Sequence, residues 1–407
     1  MSNSKNKHIL VLSQYFYPEQ FRINDMCEEW VKRGYQVTVV TGIPNYPEGK
    51  FYDGYGFHKK RKETWNGMEI IRLPLIARGK SSIGLLLNYL SFPLFGFFWK
   101  CRTKRRADYI FMFETSPMTQ CLIGVWLKNK WKKKGYSVPL YAYIQDLWPQ
   151  NVEVITGIHQ PFIINPIRKM VRYIYKNCDK IFATSPSFVE EIIADGAEAE
   201  KVYYWPQYAE EFYQPMGNSD VHYENKEFRI MFTGNIGYAQ GLDILPKVAR
   251  RLKGECSVHF DIVGDGRYRE KFVETMEEEG VKDMFTLYGR YPATDIPKML
   301  ATADAAFFSF MNTELFAKTI PAKLQSYMAC GMPIIASARG ESVRIIDEAK
   351  CGVYCDIGNV EALAGAIKAM SEMERSDLRA MGERSRAYCL QHFEKQKLMN
   401  QMESHMC

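Results

Sequence analysis

Short apolar runs alternate with helical stretches along this chain, and near its middle the alternation stops and begins again. Residues 9–13 ("ILVLS") form the first run, a helical stretch over 24–33 closes at Gly34, and residues 36–41 form the second run. Further runs lie at 109–113 and 140–144, and "CDKIFATSPSFVEEIIADG" reads as strand, serine-rich turn and helix ending at Gly196. Short, evenly apolar strands separated by helices belong in a parallel sheet covered on both faces. The series restarts at 228–233 and continues through 259–263, 283–288, 304–308 and 334–337. Residues 205–225, between the two series, are irregular, aromatic and polar, as a linker would be. The pattern predicts an α/β protein with two doubly wound, Rossmann-like domains, 1–204 and 205–386, and a helical segment 387–407 that packs back on the first. Such sheets bind ligands beyond the carboxyl ends of their strands, so two facing domains would share one cleft.

Composition narrows the class. With 407 residues, 46% of them hydrophobic, the chain can build two cores. Its 10 cysteines include no CxxC pair, and Cys351 and Cys355 have no histidine nearby in sequence. That scatter fits reduced thiols in a cytoplasmic protein and no metal site. The first residues, "MSNSKNKHILVLSQYF", lack the apolar core of a secretion signal. Charge is uneven: residues 1–200 hold 28 Lys and Arg against 18 Asp and Glu, so the first half suits an anionic partner.

Three segments carry candidate chemistry. In "FTGNIGYAQGLDIL" (232–245), Gly234, Gly237 and Gly241 lie between a strand and a helix, where a backbone can approach a phosphate. The spacing is not GxGxxG, which argues against a nicotinamide cofactor. In "KTIPAKLQSYMACGMPIIA" (318–336), Pro321 marks a helix start and Gly331 its end. Lys318, Thr319, Lys323 and Ser326 surround that start; a lysine there opposes the helix dipole unless an anion compensates it. "YIQDLWPQNV" (143–152) presents Asp146 at the carboxyl end of a strand. Two long loops, "SQYFYPEQFRIND" (13–25) and "TGIPNYPEGKFYDGYG" (41–56), offer Glu19, Arg22, Asn45 and Tyr46.

A further segment, "IGLLLNYLSFPLFGFFW" (83–99), is almost wholly apolar and is followed by Lys100, Arg102, Lys104, Arg105 and Arg106. "LKNKWKKKG" (127–135) adds a second basic cluster. An apolar face beside basic groups suits a helix lying in a membrane interface, against the alternative of a buried core helix with a solvated end. A nucleic-acid partner is not expected, because the clusters adjoin an apolar stretch and no binding module is recognisable.

Six motifs in series, "SQYFYPEQFRIND", "TGIPNYPEGKF", "YIQDLWPQ", "TGNIGYAQGLD", "VGDGRYR" and "IPAKLQSYMACGMPIIA", resemble glycosyltransferase family 4, and within it the N-acetylfucosamine transferase branch of O-antigen and capsule synthesis. The resemblance implies a GT-B fold and retaining, metal-independent transfer from a nucleotide sugar, UDP by analogy, held by the second domain. No cofactor is implied. Donor-binding residues carried over are Gly234, Asn235, Gln240 and Gly241, with Lys318, Thr319 and Ser326 beside them. Lys323 and Asp146 are the expected catalytic groups, the first neutralising the leaving diphosphate and the second orienting a sugar. Glu19, Arg22, Asn45 and Tyr46 fall on the acceptor side. The acceptor implied is a lipid-diphosphate-linked glycan at the inner face of the cytoplasmic membrane. The chain also departs from the family pattern. Asn235 and Gln240 stand where many members have Arg and Lys, and Lys318 and Ser326 stand where many have two glutamates. A cation missing from one loop would then be supplied by Lys318 or Lys323 from another. The alternative is a non-catalytic GT-B-like scaffold that brings a partner transferase to the membrane.

Overall fold

The computed structural model describes residues 6–79, 81–217 and 227–406. Two compact units divide the chain after Trp205: the first runs to Trp205 and regains the chain from His405, and the second spans Pro206–Ser404.

The first unit holds one eight-stranded sheet. In chain order its strands are β1 (His8–Leu12), β2 (Gln36–Gly42), β3 (Lys62–Trp65), β4 (Met68–Leu73), β5 (Tyr109–Glu114), β6 (Leu140–Ile144), β7 (Lys180–Ala183) and β8 (Val202–Tyr204). In space they run β3-β4-β2-β1-β5-β6-β7-β8, all parallel except the β3–β4 hairpin. The hairpin turns at Asn66 and Gly67, both at positive φ, the pair that a two-residue turn favours. Central strands are buried along their length, and Trp30, from the helix Arg22–Lys32, packs edge-on against Phe111 on one face. The strand order reverses at β1, so the turns after β1 and β5 flank the crevice where such sheets accept ligands.

The second unit repeats the plan with six parallel strands: β9 (Phe228–Thr233), β10 (Val258–Val263), β11 (Phe285–Gly289), β12 (Ala305–Ser309), β13 (Ile334–Ser337) and β14 (Gly352–Cys355). Their order is β11-β10-β9-β12-β13-β14, and its reversal falls between β9 and β12. The core on one face joins Phe232, Phe260 and Ile335 to Leu245 and Val248 of the helix Ile244–Leu252 and Leu363 and Ile367 of the helix Val360–Ser371.

The linker expected over 205–225 lies partly outside the described residues; its described part, 206–217, carries no helix or strand. The second unit extends beyond the expected end at 386. The segment expected to return as one helical tail is two helices, Arg375–His392 and Lys395–Met406. The former stays with the second unit: Arg386 donates to the Ala329 carbonyl at 2.6 Å, and Gly382 approaches Gly331 so closely that a Cβ would stand 2.3 Å from its oxygen. Only the chain from His405 onward groups with the first unit, where the His405 ring lies 4.2 Å from Tyr203 and 5.7 Å from Phe182.

Candidate functional site

In the second unit the turn after β9 and the helix Ala322–Ala329 meet at the strand-order reversal. Gly234 follows β9 at φ +128°, a conformation that excludes ordinary side chains, and its N–H is committed to the Val263 carbonyl at 2.9 Å. Gly234 thus contributes open space rather than a free amide: a Cβ there would stand 3.6 Å from both Cε and Nζ of Lys323. The turn after β10 supports it from below. Gly264, at φ +142°, passes so close that a Cβ would lie 1.8 Å from the Gly234 carbonyl oxygen, and Ile236 N–H donates to the Asp265 carbonyl at 3.0 Å.

Lys323 is the electrostatic centre of this arrangement. Its Nζ donates to Gln240 Oε1 and sits 4.2 Å from the centre of the Phe232 ring. No carboxylate pairs with it among the described residues, and desolvation pushes its pKa down to about 7. A half-buried ammonium that meets only an amide oxygen and a ring face among the described residues is a site prepared for an anion. Gln240 is itself fixed, since Ser309 Oγ, at the end of β12, donates to its carbonyl at 2.5 Å. Gly241 turns at φ +56° against the Phe310 carbonyl. Asn235 lies exposed beside the same turn, its amide against Gly237 and Gly266.

The other predicted residues of this unit take different places. Lys318 caps the short helix Glu314–Ala317. Thr319 donates its hydroxyl to the Leu315 carbonyl at 2.9 Å and accepts at its own carbonyl from Ser342 at 3.2 Å. Ser326 is buried and donates to Ala322 at 3.2 Å, so its hydroxyl is used within the helix instead of facing a ligand. Sequence reasoning missed Tyr327, whose buried hydroxyl accepts from Thr233 N–H at 2.8 Å and locks the helix to the end of β9. It also missed Glu341, which opens the helix Glu341–Ala349 and pairs with Arg344 at 2.9 Å. Among these, "ARGES" (338–342) was the readable signal, because a glycine between a strand and a helix marks such a turn.

In the first unit the loop residues prove to be supports. Glu19 is 2% exposed; its carboxylate accepts from the backbone N–H groups of Asn45 and Tyr46, each at 2.7 Å, and of Phe16 at 3.3 Å. Burial raises its pKa to about 7 against those hydrogen bonds. Asn45 is fully buried and ties the Ile43 carbonyl to the Arg78 N–H. These two residues therefore hold the loop after β2 on the loop after β1. Tyr46 is half-buried in an aromatic group, 5.4 Å from Phe21 and 5.7 Å from Tyr15, with Arg78 over its ring. Arg22 opens the helix Arg22–Lys32, and its charge reaches the buried Tyr143 hydroxyl.

Asp146 stands beyond β6 as expected. Its Oδ2 accepts from Ser116 N–H at 2.7 Å, and burial raises its pKa. Beside it is an unpredicted group, Glu114, the fully buried last residue of β5.

The apolar segment forms the helix Ser82–Arg102, whose length and composition would let it cross a bilayer. One face is fastened to the unit: Asn88 donates to the Ile76 carbonyl at 2.7 Å and accepts from Gln14 at 2.8 Å, and Gly96 lies against Ile123. The opposite face exposes Ile83, Leu86, Leu87, Leu90, Leu94 and Phe98, spaced as one helical stripe. Lys130 ties the second basic cluster to the helix end, donating to the carbonyls of Lys100 and Thr103 at 2.6 and 2.7 Å. Among the described residues no group of three His, Cys, Asp or Glu is placed to hold a metal ion.

Comparison with known proteins fits this geometry. Residues 20–206 match the family described as "Glycosyl transferase 4-like domain", and residues 219–388 match "Glycosyl transferases group 1". WcaI of Escherichia coli (strain K12), by its name a candidate colanic acid biosynthesis glycosyl transferase, is 26% identical over 351 residues, covering 81% of this chain and 83% of WcaI. Among solved structures, sucrose-phosphate synthase from Thermosynechococcus elongatus superposes with a TM-score of 0.77 at 15% identity, covering 98% of both chains. Anabaena HepE in complex with UDP-glucose gives 0.70 at 15% identity, covering 98% of this chain and 99% of that one. Both units are thus matched in order, and the chain belongs to the family 4 glycosyltransferases of GT-B fold.

Proposed function

We propose that this glycosyltransferase moves a sugar, of the N-acetylated amino or deoxy class, from a UDP-sugar to a lipid-diphosphate-linked glycan, with retention and without a metal, in O-antigen, capsule or exopolysaccharide synthesis. The observation that carries the donor half is Lys323: a desolvated ammonium with no carboxylate partner among the described residues, beside a glycine turn that leaves room for phosphates. Breaking the bond to a nucleoside diphosphate puts charge on the leaving phosphate, and a fixed cation there stabilises the transition state most. HepE, of the same fold, binds UDP-glucose in its solved structure, which supports UDP as the carrier. The sugar class rests on the motif resemblance alone. Asp146 orients a sugar and is not a nucleophile in this reading.

The acceptor half is supported by the helix Ser82–Arg102. A spanning helix would be apolar all round; this one is pinned by Asn88 and Ser91 on one face and bare on the other. It therefore suits the membrane interface, with exposed Arg102, Lys104, Lys132, Lys133 and Lys134 near anionic headgroups. In this reading the enzyme sits peripherally on the inner face of the cytoplasmic membrane, where lipid-linked glycans are built. The test is a panel of UDP-sugars incubated with membrane-extracted lipid-linked acceptors. Transfer from one UDP-sugar that disappears in Lys323→Met is expected; transfer from another class of nucleotide only, or none by folded enzyme, would remove the proposal.

A further inference from the structure

Two carboxyl groups meet at the ends of β5 and β6, and each reaches across to the other's turn. Glu114 Oε2 accepts from the N–H groups of Asp146 at 3.1 Å and Gln145 at 3.3 Å, both in the turn after β6. Asp146 Oδ2 accepts in return from Ser116 N–H at 2.7 Å, in the turn after β5. Ser116 also anchors the chain just beyond Asp146, since its hydroxyl accepts from Trp148 Nε1 at 3.1 Å and Asn151 Nδ2 at 2.7 Å. Glu114 is 0% exposed, and its Oε1 has no hydrogen-bond partner. No cation pairs with it among the described residues. The groups facing it are Asp146, Tyr175 of the helix Pro161–Asn177, Cys121 of the turn Met118–Cys121, and Tyr89 of the helix Ser82–Arg102. Burial raises the pKa of the two tyrosines and of the thiol, so none of the three is charged near neutral pH and none offers Glu114 a counter-charge.

We propose that Glu114 is the positioning residue for Asp146: the pair cross-braces the turns after β5 and β6 and holds a single proton, which resides on Glu114 Oε1. A buried carboxylate oxygen with no donor is far costlier than a buried hydroxyl, and two adjacent carboxylates cannot both ionise without repulsion. Protonation of Oε1 removes both costs and leaves Oε2 free to accept its two amides. It also leaves the charge of the pair on Asp146, the less buried member. The same bracing sets where Asp146 points, so the role of Glu114 acts through Asp146 and not on substrate. This inference rests on the reading of Asp146 as a sugar-orienting group, but its test uses protonation and folding, so either can fail without the other.

The experiment compares the full chain with Glu114→Gln, an isostere of the protonated acid, and Glu114→Leu. At pH 7.5, isotope-labelled glutamate in wild type should give an infrared carbonyl band of protonated acid that weakens in Glu114→Gln to the part contributed by Glu19, whose pKa is about 7. Because the acid stays protonated when folded and ionises when unfolded, the wild-type folded-to-unfolded ratio should fall about tenfold per pH unit relative to Glu114→Gln from about pH 5 upward. Hydrogen exchange at the Asp146 amide should remain slow in Glu114→Gln and accelerate in Glu114→Leu, while the Gln145 amide, which also donates to the Glu114 backbone carbonyl at 2.9 Å, stays slow in both. Parallel stability profiles for wild type and Glu114→Gln, or a protonated band that is the same in both, would overturn the shared proton. Unchanged exchange in Glu114→Leu would overturn the positioning role.

Discussion

Replacing Lys323 with Met keeps the apolar stem against Phe232 and removes the ammonium. The structure sets the size of the effect. Holding that lysine at a pKa of about 7 in place of an ordinary 10.5 disfavours its charged form by at most roughly 5 kcal/mol, less what solvent on its open side returns. The sign comes from the direction. Below pH 7 the folded chain carries the full penalty, and it fades as pH rises from 7 to 10.5, where the unfolded chain also loses the proton. Lys323→Met should therefore unfold at higher denaturant than wild type at pH 6, and the gain should shrink by pH 9. A bound diphosphate reverses the balance, because it restores the proton to Lys323. At pH 8, where UDP is already fully ionised, calorimetry in two buffers of different ionisation enthalpy should record uptake of about one proton on UDP binding by wild type and none by Lys323→Met. UDP affinity should fall about 10- to 100-fold in the variant, as for loss of one charge-assisted hydrogen bond. Equal affinity, or equal proton uptake, in the two proteins would refute the assignment of Lys323 to the diphosphate.

Three further outcomes are expected. Gly264→Ala drives a Cβ to 1.8 Å from the Gly234 carbonyl at a φ that disfavours it, so thermal unfolding should show a loss of at least about 2 kcal/mol, with UDP binding weakened alongside. Glu19→Ala leaves three backbone N–H groups without their acceptor and should cost about 3 kcal/mol or more in urea unfolding. Glu19→Gln should cost much less, and wild type should lose stability relative to it as pH rises from 4.5 to 7, the interval between the ordinary and the folded pKa. Leu86, Leu90 and Leu94 changed together to Ser should abolish flotation with anionic vesicles while leaving UDP affinity intact, and flotation equal to wild type would count against the interfacial helix.

The sequence disclosed what depends on local pattern. Alternating apolar runs and helices gave the two parallel sheets, and the glycines after β9 gave the turn that Lys323 overlies. Even the β3–β4 hairpin has its signal, the Asn66–Gly67 pair, which is easily lost among the polar residues around it. What stayed hidden depends on contacts far apart in sequence. Glu19 reads as a solvated loop carboxylate; only the fold brings the Asn45 and Tyr46 amides, 26 and 27 residues away, onto it. Glu114 reads as the polar end of the run "YIFMFE", and nothing local foretells that Asp146 comes to lie beside it. Ser326 shares Lys323's spacing but not its environment, because Tyr327 turns that part of the helix into the core. The dipole argument did single out Lys323, yet the Phe232 ring and Gln240 that receive its ammonium are over eighty residues away.

The seat of a nucleoside diphosphate decides whether Lys323 is the centre of a donor site. A structure of the full chain with UDP bound should place a phosphate oxygen within hydrogen-bond reach of Lys323 Nζ, over the open face of Gly234. UDP phosphates seated elsewhere, with the ammonium still held by Gln240 alone, would contradict it.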